Sequence, residues 1–419
     1  MKLSNFGEKF TDQTGIQSLM SDLGNALASD QPLIMMGGGN PAHIPEVEET
    51  FKARLRRIVD NHSEFVRFIG TYDPPQGEKE FIDALVKLLN SQFGWGLTTR
   101  NIALTNGSQS AFFMLFNMFA GQYQDGSQKQ ILFPLAPEYI GYADAGLSEH
   151  FFTANRPSIE LIDQHTFKYH VDFTNLQVTD NTGAICVSRP TNPTGNVLTD
   201  QEIEHLDKLA KQHDIPLFID GAYGTPFPNL IFTEATPYWN DNIILCLSLS
   251  KLGLPACRTG IVIANEAVIE SVTKINAILS LATNSAGSLL TLDMVKDSSI
   301  LTMSNEIIKP FYQTKVEKAV NTIHQALDGY DYYIHKPEGA MFLWLWFKGL
   351  PITSLELYER LKNKGVIVVS GHYFFPGIND NDWRHQQECI RITYSQDDEK
   401  VAKGLNIIAE EVKKAYQEG

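Results

Sequence analysis

Five short stretches of this chain carry residues that could do chemistry, and each belongs to or follows an apolar run. "SLSKLGLPACRTG" sets Lys251 just after Ser248 and Ser250 and upstream of Arg258. A lysine amine becomes a nucleophile when burial and neighbouring cations lower its pKa, and the end of a buried strand could supply both. "PLFIDGAYGTPF" holds Asp220 and Tyr223, a carboxylate able to pair with a buried cation and a phenol able to donate to a nearby oxygen. In "SRPTNPTGNVLTD" the prolines around Asn192 restrict the backbone and aim its amide. "LTNGSQSAFFMLF" puts Gly107, Ser108 and Gln109 where a strand stops and a helix opens, and free N–H groups there would hold a phosphate. In "CIRITYS", Arg391 lies on the opposite strand face from Ile390 and Ile392, and its planar fork could grip a carboxylate.

Each residue also has a plainer role open to it. Ser108 could be a helix N-cap, Asn192 part of a proline turn, Asp220 the cap of a turn. Lys251 could be solvated, and Arg391 could face water from an edge strand. Order and spacing argue for chemistry: a phosphate turn, an asparagine, Asp-x-x-Tyr and Ser-x-Ser-Lys succeed one another, each after its own strand.

The elements that must position them alternate. "NIALT" leads into a helical run from Ser108 to Ala120, and "ILFPLA", "GAICVS", "IPLFID" and "IILCLS" follow, with helical periodicity in "DQEIEHLDKLAKQH". That alternation predicts an α/β fold with a mostly parallel sheet between helices, and ligands at the carboxyl ends of its strands. Beyond about Asn284 a long amphipathic segment near Asn305 to Ala326 leads to the strand "GAMFLWLWF", the helix "SLELYERLKNKG", the strands "VIVVS" and "CIRITY", and a last helix from about Asp397. A second, smaller α/β layer is expected there, with no flexible linker before it.

The composition narrows the partners. In 419 residues, 49 acidic against 34 basic side chains give a net charge of −15, and no Lys/Arg run interrupts it. Nucleic acid and anionic membrane are not expected as partners. Cys186, Cys246, Cys257 and Cys389 are scattered, so neither a disulfide framework nor a CxxC metal site is expected. The start of the chain lacks a signal-peptide pattern, and "AFFMLFNMFAG" is too short to span a bilayer, so a cytoplasmic protein is expected.

Read in order, "MGGGNP", "TYDPPQG", "TNGSQSAF", "APEYIGY", "SRPTNPTG", "IDGAY", "SLSKLGLP" and "CIRITY" resemble the fold-type I, class I aminotransferases that use pyridoxal 5'-phosphate. The resemblance runs over nearly the whole chain. It implies a large domain, 46–295, built on a seven-stranded sheet, and a small domain made from both ends, 1–45 and 296–419. It implies an internal aldimine on Lys251, Asp220 on the pyridine nitrogen, Tyr223 and Asn192 on the phenolic oxygen, and Tyr139 stacked on the ring. The phosphate would sit on Gly107, Ser108 and Gln109, helped by Ser248, Ser250 and Arg258, with Tyr72 reaching in from the neighbouring subunit of a homodimer. Arg391 would bind the substrate carboxylate, assisted by Asn192 and the backbone of Gly39. Arg258 stands seven residues after Lys251, where many members have eight, so the turn between them is shorter here.

On "MGGGNPAHIPE", "LAPEYIGYADAGL" and "HKPEGAMFLWLWF" the likeness is greatest to members that exchange an amino group between L-valine and pyruvate. Amino acids and 2-oxo acids are therefore the expected substrates, with Tyr373, Phe374 and Phe375 as candidates to line a small apolar pocket. Other small, branched or aromatic donors, or β-elimination from a cysteine conjugate, would use the same lysine and aspartate. A DNA-binding regulator on this scaffold would need an added basic domain, for which "MGGGNP" near residue 36 leaves no room.

Overall fold

The run Thr182–Ser188 is buried at every position, as a strand covered on both faces must be. The computed structural model describes residues 2–11, 17, 21, 24, 33–378, 380 and 382–419. Its strands, in chain order, are β1 (Ile34–Met35), β2 (Ile102–Thr105), β3 (Gly121–Gln122), β4 (Gln128–Phe133), β5 (Phe152–Ala154), β6 (Ser158–Leu161), β7 (Thr166–His170), β8 (Thr182–Ser188), β9 (Leu217–Asp220), β10 (Ile243–Ser248), β11 (Gly260–Ile263), β12 (Tyr333–His335), β13 (Phe342–Trp346), β14 (Val366–Ile367), β15 (Val369–Ser370) and β16 (Cys389–Thr393).

The main sheet is ordered β2-β11-β10-β9-β8-β4, with β5 and the two-residue β3 also on β4. All its pairings are parallel except those of β11 with β10 and β2 and the β3–β4 hairpin. The expected seven strands are present, and β3 is an addition at the rim.

Register decides where the chemistry goes. Ser188 pairs with Asp220, Asp220 with Cys246, Ser248 with Gly260, and Gly260 with Thr105. The carboxyl ends of β2, β8, β9 and β10 thus share one rim, and Gly107, Asn192, Asp220 and Lys251 all lie on or just past it. After the Asn192 loop the chain is fixed by a capping box: Glu202 N–H donates to Thr199 Oγ1 at 3.2 Å and Thr199 N–H donates to Glu202 Oε2 at 2.8 Å.

The second sheet is ordered β15-β16-β13-β12-β7-β6. Its β6–β7 hairpin comes from inside 46–295, so the expected division between that segment and the chain ends is crossed at residues 158–170, where β7 pairs with β12. A strand's apolar pattern shows that it is covered but not which strand it joins.

The amino-terminal strand β1 pairs with β14, and Met36 continues the ladder, donating to Ile367 and accepting from Thr393. This leads Gly37, Gly38 and Gly39 across to the rim. The run "VIVVS" is two strands rather than one, broken at Val368, whose carbonyl lies 2.8 Å from where a Cβ on Gly37 would sit. The amphipathic segment starts as a π-helical turn, Met303–Ile308, before the α-helix Lys309–Ala326, near whose start Pro310 has no N–H to offer. Among the described residues no helix is long and apolar enough to cross a membrane.

Candidate active site

A cavity of about 520 Å³ opens at the rim between the two sheets, and Lys251, Asp220, Tyr223, Asn192, Tyr139 and Arg391 all line it. At one end Gly107 adopts φ 89°, and the helix Ser108–Phe119 begins beside it with no side-chain cap, leaving its first N–H groups for a ligand. A Cβ on Gly107 would lie 2.3 Å from Arg258 Nη2, so only glycine lets the guanidinium reach this turn. Arg258 itself takes a left-handed φ of 42°, which absorbs its short spacing from Lys251. Its Nη1 reaches Ser250 Oγ at 3.4 Å, and Ser250 N–H donates to Ser248 Oγ at 3.1 Å. N–H groups, hydroxyls and a guanidinium around one space make an anion site. The Gln109 side chain is committed elsewhere, donating to the Gly141 carbonyl at 2.9 Å.

At the sheet's centre Asp220 is held by two donors. Tyr142 gives its hydroxyl proton to Oδ2 at 2.5 Å, and Ala222 N–H donates to Oδ1 at 2.9 Å. Burial pushes the Asp220 pKa up, while Tyr142, Ala222 and the Lys251 amine oppose the rise. The Tyr142 ring is wedged among Phe112, Phe116 and Phe133, and Tyr139 meets it edge-on with centroids 5.2 Å apart. Glu138, wholly buried, accepts from Ser188 N–H at 3.0 Å and Ser188 Oγ at 2.7 Å, which pins the Tyr139 turn to the end of β8. Burial raises the Glu138 pKa to about 8. Sequence reasoning missed Tyr142 and Glu138, although both stand in "APEYIGY".

Lys251 sits in the short turn Ser250–Leu252 past β10 and donates to the Gly39 carbonyl at 2.6 Å. Burial first, then the Arg391 and Arg258 guanidiniums, lower its pKa to about 8, and Asp220 partly offsets this. The amine lies 5.4 Å from the centre of the Tyr223 ring. Burial drives the Tyr223 phenol pKa far up, so the phenol stays a donor.

Arg391 is 2 % exposed, which removes the solvated edge-strand alternative. Nη1 donates to Asn192 Oδ1 at 2.7 Å and Nη2 to the Gly37 carbonyl at 2.6 Å, while the buried Nε has no protein partner. Its guanidinium carbon lies 4.3 Å and 5.1 Å from the centres of the Phe342 and Phe374 rings. Burial lowers its pKa to about 10, so it is a cation at neutral pH. Tyr373, Phe374 and Phe375 do not line the cavity, contrary to expectation, because Phe374 and Phe375 pack on Trp344 and Phe374 backs Arg391. Met35 and Ile140 supply apolar lining instead. Tyr72 is 80 % exposed and outside this chain's own cavity.

A parallel-sheet rim with an uncapped helix start, a depressed lysine, a buried aspartate and a buried arginine defines an enzyme of amino-group transfer, and the family model for aminotransferase class I and II matches residues 42–408. The chain belongs to that family. It is 52 % identical over 418 residues to the valine–pyruvate aminotransferase of Escherichia coli K12, covering 100 % of both chains. The crystal structure of valine–pyruvate aminotransferase from Salmonella typhimurium LT2 superposes with a TM-score of 0.89 at 51 % identity, over 97 % of this chain and 100 % of that one. A Psychrobacter arcticum 273-4 protein described as an amino-acid aminotransferase superposes with a TM-score of 0.97 at 49 % identity, each chain covered completely.

Proposed function

We propose that this enzyme moves an amino group reversibly between L-valine and pyruvate, giving 2-oxoisovalerate and L-alanine, with pyridoxal 5'-phosphate as its cofactor. The observation that carries the reading is the pairing, in one cavity, of a lysine with a depressed pKa and a buried arginine with an unpartnered Nε. Full-length identity of 52 % to a valine–pyruvate aminotransferase supports the choice of substrates.

The side chains present fit the cofactor. The uncapped helix start at Gly107, Ser108 and Gln109, with Ser248, Ser250 and Arg258, suits its phosphate. Asp220 suits the ring nitrogen, Tyr223 and Asn192 the phenolic oxygen, Tyr139 the ring face, and Lys251 the aldehyde. When bound, pyridoxal phosphate supplies an electrophilic carbon for the amino group and a ring that withdraws electron density from the substrate Cα.

The chain's own groups do the rest. Arg391 holds the substrate carboxylate, with Asn192 and the Gly39 backbone orienting it. Asp220 keeps a proton on the ring nitrogen because an ionised carboxylate there stabilises the cation. The Lys251 amine, its pKa lowered to about 8, would take the Cα proton and return it two bonds away, on the carbon that carried the cofactor's aldehyde. Met35 and Ile140 give the cavity apolar lining of the kind a small branched side chain would meet. Discrimination by a methylene is only ~1–3 kcal/mol, so related amino acids react too.

We further propose a homodimer in which Tyr72 completes the partner's phosphate site, working in the cytoplasm, a setting that suits four unpaired cysteines. The test is the visible spectrum of the cofactor-loaded enzyme during addition of L-valine and then pyruvate. A yellow band bleached by L-valine and restored by pyruvate is expected. A band indifferent to L-valine, or steady release of pyruvate and ammonia from a cysteine conjugate with no acceptor present, overturns the assignment.

A further inference from the structure

The loop that carries Asn192 is held by a buried charge pair that none of the steps above uses. Lys168, on β7, is 5 % exposed and Glu338, in the turn between β12 and β13, is 4 % exposed, and their charged ends touch. Lys168 Nζ also donates to Asn196 Oδ1 at 2.8 Å and to the Val197 carbonyl at 3.1 Å, so three acceptors surround its ammonium. Glu338 Oε2 accepts from Val197 N–H at 3.1 Å as well. The loop closes on itself through Gly195 N–H to Thr191 and Thr191 N–H to Asn196. It also lies so close to the Glu338 turn that a Cβ on Gly195 would stand 2.6 Å from the Gly339 carbonyl.

A buried ion pair is weak as a source of stability, because desolvating two charges cancels most of their attraction. What it does well, when every lone pair and proton is satisfied, is to specify one arrangement. Here the arrangement is particular. Both charges come from the second sheet and its turn, the sheet whose β16 carries Arg391, whereas the clasped loop follows β8 of the main sheet. The pair thus fixes Asn192 relative to Arg391, and Asn192 Oδ1 is the one side-chain acceptor that orients the Arg391 fork, beside the Gly37 carbonyl.

We propose that Lys168 and Glu338 are positioning residues for the substrate carboxylate: they clamp the 191–198 loop to the Arg391 sheet so that Asn192 holds the guanidinium ready for a bidentate ligand. The carboxylate role of Arg391, proposed above, is the premise.

The experiment compares Lys168→Met, Glu338→Gln and the double variant Lys168→Met/Glu338→Leu as cofactor-loaded enzymes. It reads Tm, kcat, the KM for L-valine, and the inhibition constant of 3-methylbutanoate, which is L-valine without its amine. Either single change lowers Tm, and the double change recovers most of it, because no buried charge is left unpaired: Lys336, which loses its contact with Glu338 Oε1 at 3.1 Å, is half exposed and returns to water. If the pair positions Asn192, the double variant still shows KM and inhibition constant raised about tenfold, the order of one hydrogen bond to a charge, with kcat within about twofold. Glu338→Gln keeps an acceptor for Val197 N–H and shows a smaller rise; should the double variant not fold, an unchanged inhibition constant in Glu338→Gln overturns the proposal. A double variant with recovered Tm and wild-type constants overturns it too, leaving the pair a stability element. Arg391→Ala, run alongside, separates the premise from the inference. An unchanged inhibition constant there overturns the carboxylate assignment and this inference with it. A raised constant there with a wild-type value in the double variant overturns the positioning role alone.

Discussion

Tyr142 gives its hydroxyl proton to Asp220 Oδ2 at 2.5 Å, and among the described residues no other side chain hydrogen-bonds that carboxylate. Asp220 is buried enough for its pKa to rise, so the phenol is a main reason it can remain ionised opposite a ring cation. The donor is itself secure, because burial and Asp220 together drive the Tyr142 pKa far up.

Tyr142→Phe preserves the ring packed between Phe112, Phe116 and Phe133 but removes that donor. A hydrogen bond to a charge is worth ~1.5–3 kcal/mol, so kcat should fall at least about tenfold while Tm changes little. Cofactor retention on dialysis should drop, and the pH at which the bound cofactor's absorbance titrates should shift. Wild-type kcat and retention in this variant would show that Asp220 needs no support from Tyr142.

The second prediction concerns Lys251. With its pKa near 8, the amine is substantially neutral at pH 8, where an ordinary lysine is almost wholly protonated. In cofactor-free enzyme, acylation by an amine-selective reagent, followed by peptide mass mapping, should be half-maximal near pH 8 at Lys251. The stability sign follows. Between about pH 8 and the usual lysine range the unfolded chain binds the proton that the folded one has lost, so stability from this group rises with pH across that window. The cost of holding the amine charged is fully present below it. Acylation at Lys251 that tracks the surface lysines would remove the case for a depressed pKa.

Arg391 offers a third test. Arg391→Lys keeps a cation but loses the planar fork, and a lysine in the same enclosure loses its proton more readily. The value of kcat/KM for L-valine should fall about a hundredfold, carried mostly by KM, because a carboxylate contact helps ground and transition states alike. Arg391 titrates near 10, so KM in the native enzyme should stay flat from pH 7 to about 9 as far as this group decides it. A variant with unchanged KM would move the carboxylate site elsewhere in the cavity.

How legible this site was depended on where each residue stood relative to its strand. Gly107, Asn192, Asp220 and Lys251 could be proposed because each is at or just past an apolar run, and parallel strands bring such positions to one rim. Arg391 was ambiguous because alternation gives a face, not what covers it; the Phe342 and Phe374 rings against the guanidinium settle that only in three dimensions. Tyr142 and Glu138 were invisible as functional groups, since an aromatic and a carboxylate beside a proline look like packing and surface until Asp220 and Ser188 are set against them. The β6–β7 hairpin was not read from the sequence at all, and its place in the second sheet was hidden in the same way: its partner β12 lies more than 160 residues away in sequence.

The last prediction tests the dimer through Tyr72. Ser285 Oγ donates to Asp73, the neighbour of Tyr72, and Asn284 N–H donates to Asn106 Oδ1 at 2.8 Å, so the segment that carries Tyr72 is tied through 284–285 to the turn that leads to Gly107. Ile69, Ile278 and Leu281 are exposed on the segments that meet there, apolar surface of the kind a second copy would cover. If Tyr72 serves the partner's phosphate site, Tyr72→Ala lowers cofactor affinity, and Lys251→Ala abolishes turnover. Neither homodimer then has an intact site, yet a mixed dimer has one: Lys251 of the Tyr72→Ala chain facing Tyr72 of the Lys251→Ala chain. Equal mixing with free exchange makes half the dimers mixed, with one good site each, so activity at limiting cofactor should climb to about a quarter of wild type. A mixture that stays at the sum of its two parents would place Tyr72 in its own subunit's site, where a mixed dimer has no intact site, or outside any site, where mixing changes nothing.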